Sequence, residues 1–288
     1  MESRMSQFSL LKLKNFGPFF ATQFLGAFND NIYKNTLMLI IAFSASDALE
    51  LDINLVLNLA AGLFILPFFL FSGIAGQITE KYEKSSLIRK IKLLEIVLMS
   101  IAAIGLIFEQ YILLLALLFL MGAQSTFFGP AKYAILPQHL KPEQLVGGNA
   151  LVEMGTFVSI LLATIAAGII MQSDHSLEIA AISIVALAVI GYFSSRAIPY
   201  AAPSDSSLKI SYNVFKTTSS LLSRVRETRS IFLAVMAISW FWFLGASYLT
   251  QFPVFAKETL NGDTSLVTLL LAVFSLGIGL GSMMCSVI

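Results

Sequence analysis

Charge is what this sequence has least of. Lys, Arg, Asp and Glu make up 12% of its 288 residues, against 57% hydrophobic; a soluble domain carries roughly 25% charged residues. So little charge cannot cover a globule with polar surface, and lipid removes that need. Cysteine is nearly absent. Cys285 stands alone, which excludes an intrachain disulfide and a cysteine-held metal cluster. The two histidines, His139 and His175, lie near predicted helix ends without a partner at metal-ligand spacing, so no metal and no cofactor is expected. Enzyme signatures are missing too. There is no Gly-rich phosphate loop and no HExxH zinc pattern. Neither histidine begins an H-x-x-x-x-D acyltransferase pattern: Gln144 and Ala180 stand where the acid belongs. The expectation is no enzyme and no catalytic residue. Without a P-loop, ATP hydrolysis by this chain is not expected. The net charge of +1 says less than its distribution, and nucleic acid is not an expected partner.

What is present is length in hydrophobic runs, with a mean hydropathy of +0.83. A bilayer core needs about 20 apolar residues per helix. Spans are expected at 16–43, 54–78, 93–108, 111–136, 145–171, 177–197, 231–256 and 265–288. The runs are continuous, unlike the short alternating strands of a barrel, and helices satisfy every backbone group internally, as lipid demands. The first run is too long for a signal-peptide core and contains Asn29, Asp30 and Lys34, so it reads as a retained span. The fold class is therefore all-α integral membrane, with about eight transmembrane helices.

Basic residues fall on one side of this layout. They are Arg4, Lys12 and Lys14; Lys81, Lys84, Arg89, Lys90 and Lys92; Lys132 and Lys141; and Arg196, Lys209, Lys216, Arg224, Arg226 and Arg229. Of the 18 Lys and Arg, only Lys34, within a span, and Lys257, at the other face, stand apart. The opposite loops carry Asp47, Glu50, Asp52, Glu109, Asp174, Glu178, Glu258 and Asp263. The positive-inside rule makes the N-terminus cytoplasmic. The stretch 199–230, rich in Ser, Lys and Arg, is the one long connection. It divides a six-helix half (1–198) from the first two helices of an incomplete second half (231–288). A bundle that starts a second set and stops after two helices reads as a fragment, or as one module of a longer protein. A short pattern recurs in the first, fourth and seventh spans: Phe24-Leu25-Gly26-Ala27, Phe119-Leu120-Met121-Gly122-Ala123 and Phe243-Leu244-Gly245-Ala246. Three-helix repeats nested in six-helix halves mark secondary transporters.

Polar residues inside the first span supply the chemistry. Asp30 and Lys34 are spaced i, i+4, share a face and can pair; Gln23 lies on that face, seven residues earlier. Asn31 and Asn35 form an adjacent stripe. Intramembrane ionisable groups are costly and face a bundle interior or a water-filled cavity, so these residues are expected to line a substrate cavity. Gln124, Ser125 and Thr126 can line it from the fourth span. Glu153, i+4 from Asn149, faces the cavity or pairs with the loop bases; the sequence leaves both open. Gly129-Pro130 is expected to break or kink the fourth span. The run Trp240-Phe241-Trp242-Phe243 reads as lipid-facing or packing surface. A second cluster, Gly76-Gln77-Ile78-Thr79-Glu80-Lys81-Tyr82-Glu83-Lys84, ends the second span. By spacing alone it is equally a solvated positive-inside loop.

That cluster resembles the loop signature of the major facilitator superfamily, with Glu80 where Asp is usual, Glu83 where Gly is usual and Ser85 in place of a second base. The resemblance implies a full bundle of twelve helices in two six-helix halves. It implies a conformational latch at Glu80, Lys81 and Lys84, with Gly76 allowing close helix approach. Phe28-Asn29-Asp30-Asn31, the run from Phe127 to Pro137, and Gly147-Gly148-Asn149-Ala150-Leu151-Val152-Glu153 look like bacterial lysophospholipid transporters. The resemblance covers essentially the whole chain. It implies a lysophospholipid substrate among membrane lipids of the bacterial inner membrane. Asp30 would face the head-group ammonium and Lys34 its phosphate, with Phe127 and Phe128 on the tail. Rival readings are a drug or metabolite exporter of the same superfamily, and the non-transporting membrane module of a fused acyltransferase or acyl-ligase protein.

Overall fold

A computed structural model describes residues 7–43, 53–261 and 264–284. Arg4, Asp47, Glu50, Asp52 and Asp263 lie outside the described residues, as do the side chains of Lys257 and Glu258. The helices are α1 (Gly17–Phe43), α2 (Ile53–Lys81), α3 (Lys84–Ile107), α4 (Tyr111–Ala134), α5 (Leu136–His139), α6 (Leu145–Ile170), α7 (Ser176–Arg196), α8 (Val214–Glu227), α9 (Arg229–Val254) and α10 (Thr264–Met284). No strand occurs among the described residues. Eight of these helices correspond to the expected spans, and the chain is an all-α, multi-pass membrane bundle. By length and composition, Asn58–Lys81, Tyr111–His139, Pro142–Ile170 and Ser176–Arg196 are long and apolar enough to cross a membrane. The charged α1 and α3 are not among them.

Three local expectations are corrected. First, α3 starts at Lys84, not at residue 93. Glu83 caps it by accepting from the N–H groups of Ser85 and Ser86 at 2.9 and 2.6 Å, so the basic run is helical and carries Lys92 into the interior. Second, Gly129-Pro130 does not break α4, which continues to Ala134. Proline removes one backbone donor, and a bundle tolerates that loss where neighbouring groups re-satisfy the freed carbonyl. Third, the connection 199–230 is not wholly irregular, since α8 lies within it, capped by Asn213 accepting from the Lys216 N–H at 2.9 Å.

The interior has three layers. On the side where α1 begins, called here the basic side, Phe16, Phe19, Ile88, Ala131, Ile135, Leu151, Val152 and Ile198 form one apolar cluster. On the far side Ile32, Tyr33, Leu37, Leu98, Met99, Leu114, Leu118 and Ile184 form another. Between them lie the buried polar groups Gln23, Asn29, Lys92, Glu95 and Gln124. Tyr33 donates to the Leu114 carbonyl at 2.7 Å, tying α1 to α4. The first six spans thus enclose a polar mid-layer, and α10 packs on α6 from outside that set.

Two of the recurring glycines sit at close approaches. A Cβ at Gly122 would collide with the backbone carbonyl of Phe64, where α4 meets α2. At Gly26 it would lie 2.6 Å from the Lys92 ammonium. Gly76 is different: a Cβ there meets nothing within 4 Å, so the close approach expected at Gly76 is not made there. Gly122→Ala should therefore destabilise by about 1–3 kcal/mol, because backbone cannot move aside cheaply. Gly76→Ala should be neutral or stabilising by up to about 1 kcal/mol through helix propensity. Thermal unfolding of the two variants in detergent checks the contrast.

Candidate functional site

A cavity of about 800 Å³ opens beside the polar mid-layer. Its walls come from α1, α2, α3, α4 and α6, with α9 and α10 opposite. From α1 it takes Gln23, Asp30, Asn31 and Lys34. Gln124, Ser125, Phe128 and Lys132 come from α4, and Glu153 and Thr156 from α6. Glu153 thus faces the cavity, where the Tyr133 hydroxyl donates to it.

The expected Asp30–Lys34 pair is not formed; each group has a different partner. The Ser125 hydroxyl donates to Asp30 Oδ2 at 2.6 Å, while Asp30 Oδ1 is buried without a hydrogen-bond partner. Lys34 Nζ donates to Asn31 Oδ1 at 2.9 Å and lies 5.4 Å from the Phe64 ring centroid. Asn35 is not at the cavity. It donates to Thr164 Oγ1 at 2.9 Å and joins α1 to α6. Phe127 is also displaced from it, stacking on Phe71 with centroids 6.3 Å apart. Conversely, the aromatic run in α9 is not purely lipid-facing. Phe241, Trp242 and Phe243 line the cavity, and Trp242 stacks on Phe157 of α6 at 5.8 Å.

Sequence reasoning missed a buried ion pair. Lys92 Nζ and Glu95 Oε2 are 2.6 Å apart, with side chains 2% and 1% exposed. Glu95 also accepts from Asn29 Nδ2 at 3.0 Å and Gln124 Nε2 at 3.2 Å, so α1, α3 and α4 meet at one carboxylate. Lys92 adjoins the basic loop in sequence, which hides its place in the interior. The signal was there: Glu95 lies inside an apolar run, i+3 from a lysine. Lys132 also adjoins a loop in sequence but faces the cavity, donating to Thr156 Oγ1 at 2.9 Å.

Glu80 and Lys84, expected to form a latch, lie in a seam of hydrogen bonds. Ser204 and Asp205 N–H groups donate to the Glu80 carbonyl at 2.8 and 3.0 Å. The buried Lys84 ammonium donates to the Ala202 carbonyl at 2.7 Å and to Ser204 Oγ at 3.1 Å. Among the described residues the ion pairs within 4 Å are Lys92–Glu95 and His175–Glu178, so Glu80, Lys81 and Lys84 make no direct ion pair here. Glu83 fastens the seam. Burial alone would raise its carboxyl, but hydrogen bonds from the Ser85 hydroxyl and the Ala201, Ser86 and Ser85 N–H groups outweigh burial and hold it below its usual value. A depressed carboxyl stabilises the fold above its unfolded pKa and loses that contribution as pH falls through the folded value. The seam should therefore loosen only in acid, below the ordinary carboxylate range. Glu83→Ala should loosen it at neutral pH by about 1 kcal/mol, the worth of a helix cap. Hydrogen exchange at the Ala201 amide, which donates to Glu83 at 2.8 Å, reports both effects.

The sequence that builds this bundle and cavity has known relatives. The family model for the Major Facilitator Superfamily matches residues 19–288, and the chain belongs to that superfamily. Within it, the chain is 27% identical over 274 residues to the lysophospholipid transporter LplT of Enterobacter sp. (strain 638), covering 91% of this chain and 63% of the relative. It is 26% identical over 265 residues to LplT of Escherichia fergusonii, covering 90% and 62%. A shorter match to LplT of Yersinia pestis (strain Pestoides F) is 31% identical over 169 residues, covering 57% and 40%. The chain thus spans about three-fifths of the length of the first two relatives.

Proposed function

We propose that this chain belongs to a transporter moving lysophospholipid from the outer to the inner leaflet of a bacterial inner membrane by alternating access, with its N-terminus in the cytoplasm. The observation that carries the reading is the presence, in one cavity, of an Asp30 carboxylate oxygen without a hydrogen-bond partner and a Lys34 ammonium that, among the described residues, has no carboxylate within 4 Å. A phosphoethanolamine head group supplies the missing complement to both, its ammonium to Asp30 and its phosphate to Lys34. Phe64, Phe68, Phe128, Phe157 and Trp242 add apolar wall for a single acyl tail. The names of the relatives favour the same substrate class. Glu80, Lys81 and Lys84, at the basic end of α2 and the start of α3, act on the conformational equilibrium and not on the head group. The chain carries the positioning and charge of a translocation site and performs no covalent chemistry on the lipid.

The test is a flipping assay with the full-length protein in proteoliposomes, using labelled lysophosphatidylethanolamine and its diacyl counterpart. The lysolipid should cross and the diacyl lipid should not. Equal movement of the two lipids, or of neither, overturns the reading.

A further inference from the structure

The cavity repeats one arrangement at two depths. At the first, Lys34 Nζ donates to a neutral oxygen, Asn31 Oδ1, at 2.9 Å and lies 5.4 Å from the Phe64 ring centroid. At the second, Lys132 Nζ donates to a neutral oxygen, Thr156 Oγ1, at 2.9 Å and lies 5.3 Å from the Tyr133 ring centroid. Beside each ammonium stands a carboxylate held by a hydroxyl: Asp30 by Ser125, and Glu153 by Tyr133. Among the described residues, neither lysine has a carboxylate oxygen within 4 Å. Gln23 marks the second depth, accepting from the Thr156 hydroxyl at 3.2 Å. It precedes Asp30 by seven residues on α1, roughly 10 Å along the helix axis.

We infer that Lys132, Glu153 and Thr156 form a second head-group station, nearer the basic side, which receives a zwitterionic phosphate–ammonium head group as it leaves Asp30 and Lys34. This rests on the lysolipid reading above. An intramembrane ammonium whose direct contacts are a neutral oxygen and a ring face, with its carboxylate neighbour beyond 4 Å, is under-compensated, and phosphate oxygens complete it. A charged head group crossing apolar surroundings unaided would meet a steep desolvation cost. Two stations of like composition let it exchange one set of partners for an equivalent one. The Lys92–Glu95 pair stands between them, since Gly26, against the Lys92 ammonium, falls between Gln23 and Asp30. Glu95 already accepts from Lys92, Asn29 and Gln124. That pair is internally neutralised and does not compete for the head group.

The experiment measures binding in detergent and flipping in proteoliposomes for lysophosphatidylethanolamine and lysophosphatidylglycerol, which lacks the ammonium. Lys132→Gln should leave binding at the first station within about twofold yet slow flipping of both lipids about tenfold or more, the worth of a lost charge-assisted hydrogen bond. Lys132→Arg should restore most of the rate. Glu153→Gln should slow the ethanolamine lipid and spare the glycerol lipid, a split that a merely structural carboxylate would not produce. Wild-type flipping by Lys132→Gln overturns the second station. So does an arginine variant as slow as the glutamine one, or equal slowing of both lipids by Glu153→Gln. If the unsubstituted protein moves neither lysolipid, the underlying substrate reading falls, and the second station falls with it.

Discussion

Replacing Glu95 with alanine is expected to destabilise the bundle by about 3–5 kcal/mol, the usual consequence of leaving one member of a buried ion pair alone. The carboxylate is 1% exposed and accepts three hydrogen bonds from three helices. Its removal strands the Lys92 ammonium in the interior, close against Gly26, deprives the Asn29 amide of its acceptor and leaves Gln124 Nε2 only its 3.5 Å bond to the Ile91 carbonyl. Glu95→Gln keeps the shape but not the charge and should fall between alanine and the unsubstituted protein. The informative comparison is the double substitution Lys92→Met with Glu95→Leu. Apolar side chains of similar volume often replace a buried pair at little cost or with a gain, so the double variant should recover most of what the single one loses. Thermal unfolding in detergent measures the series. A single Glu95→Ala variant that melts with the unsubstituted protein would show that the pair is not structural.

The sequence revealed most where lipid imposes a one-dimensional rule. Apolar runs of about 20 residues must be helices, and all eight expected spans correspond to helices. Helical periodicity was equally informative on α1: Gln23, Asp30 and Lys34 share a face and all three reach the cavity. It failed one step further along. Asn35 lies five residues beyond Asp30, a rotation of roughly 140°, and that turn is enough to aim it at Thr164 of α6. Composition misled at the ends of spans. Lys92 and Lys132 sit next to basic loops, so a rule about loops claimed them, although the Glu83 cap starts α3 early and α4 outlasts its proline. The Trp240–Phe243 run could not be assigned from α9 alone, because its orientation depends on packing against Phe157 of α6, a contact between residues far apart in the chain. Glu80, Lys81 and Lys84 lie where α2 gives way to α3, but what that turn packs against, the connection after α7, carries no motif that announces it.

Asp30→Asn is expected to lower lysophosphatidylethanolamine flipping about tenfold to a hundredfold, the range given by the 1.5–3 kcal/mol of a hydrogen bond to a charged group. Asparagine keeps the volume of the side chain and one oxygen for the Ser125 hydroxyl, which now donates to Asp30 Oδ2 at 2.6 Å. The fold should therefore survive, and expression and melting should match the unsubstituted protein. What changes is the free oxygen. On the proposed reading, Oδ1, buried and without a partner, is the group that takes the head-group ammonium. An amide at that position presents either a neutral acceptor or an N–H donor that repels the ammonium. Lysophosphatidylglycerol has no ammonium to lose, so the same variant should move it with a smaller deficit. Lys34→Gln should act in the opposite sense, impairing both lipids alike because both carry the phosphate. Measuring the two lipids side by side in proteoliposomes separates a head-group contact from general damage. If Asp30→Asn slows both lipids by the same factor while binding of both is retained, Asp30 serves the conformational cycle, and the assignment of its free oxygen to the ammonium fails.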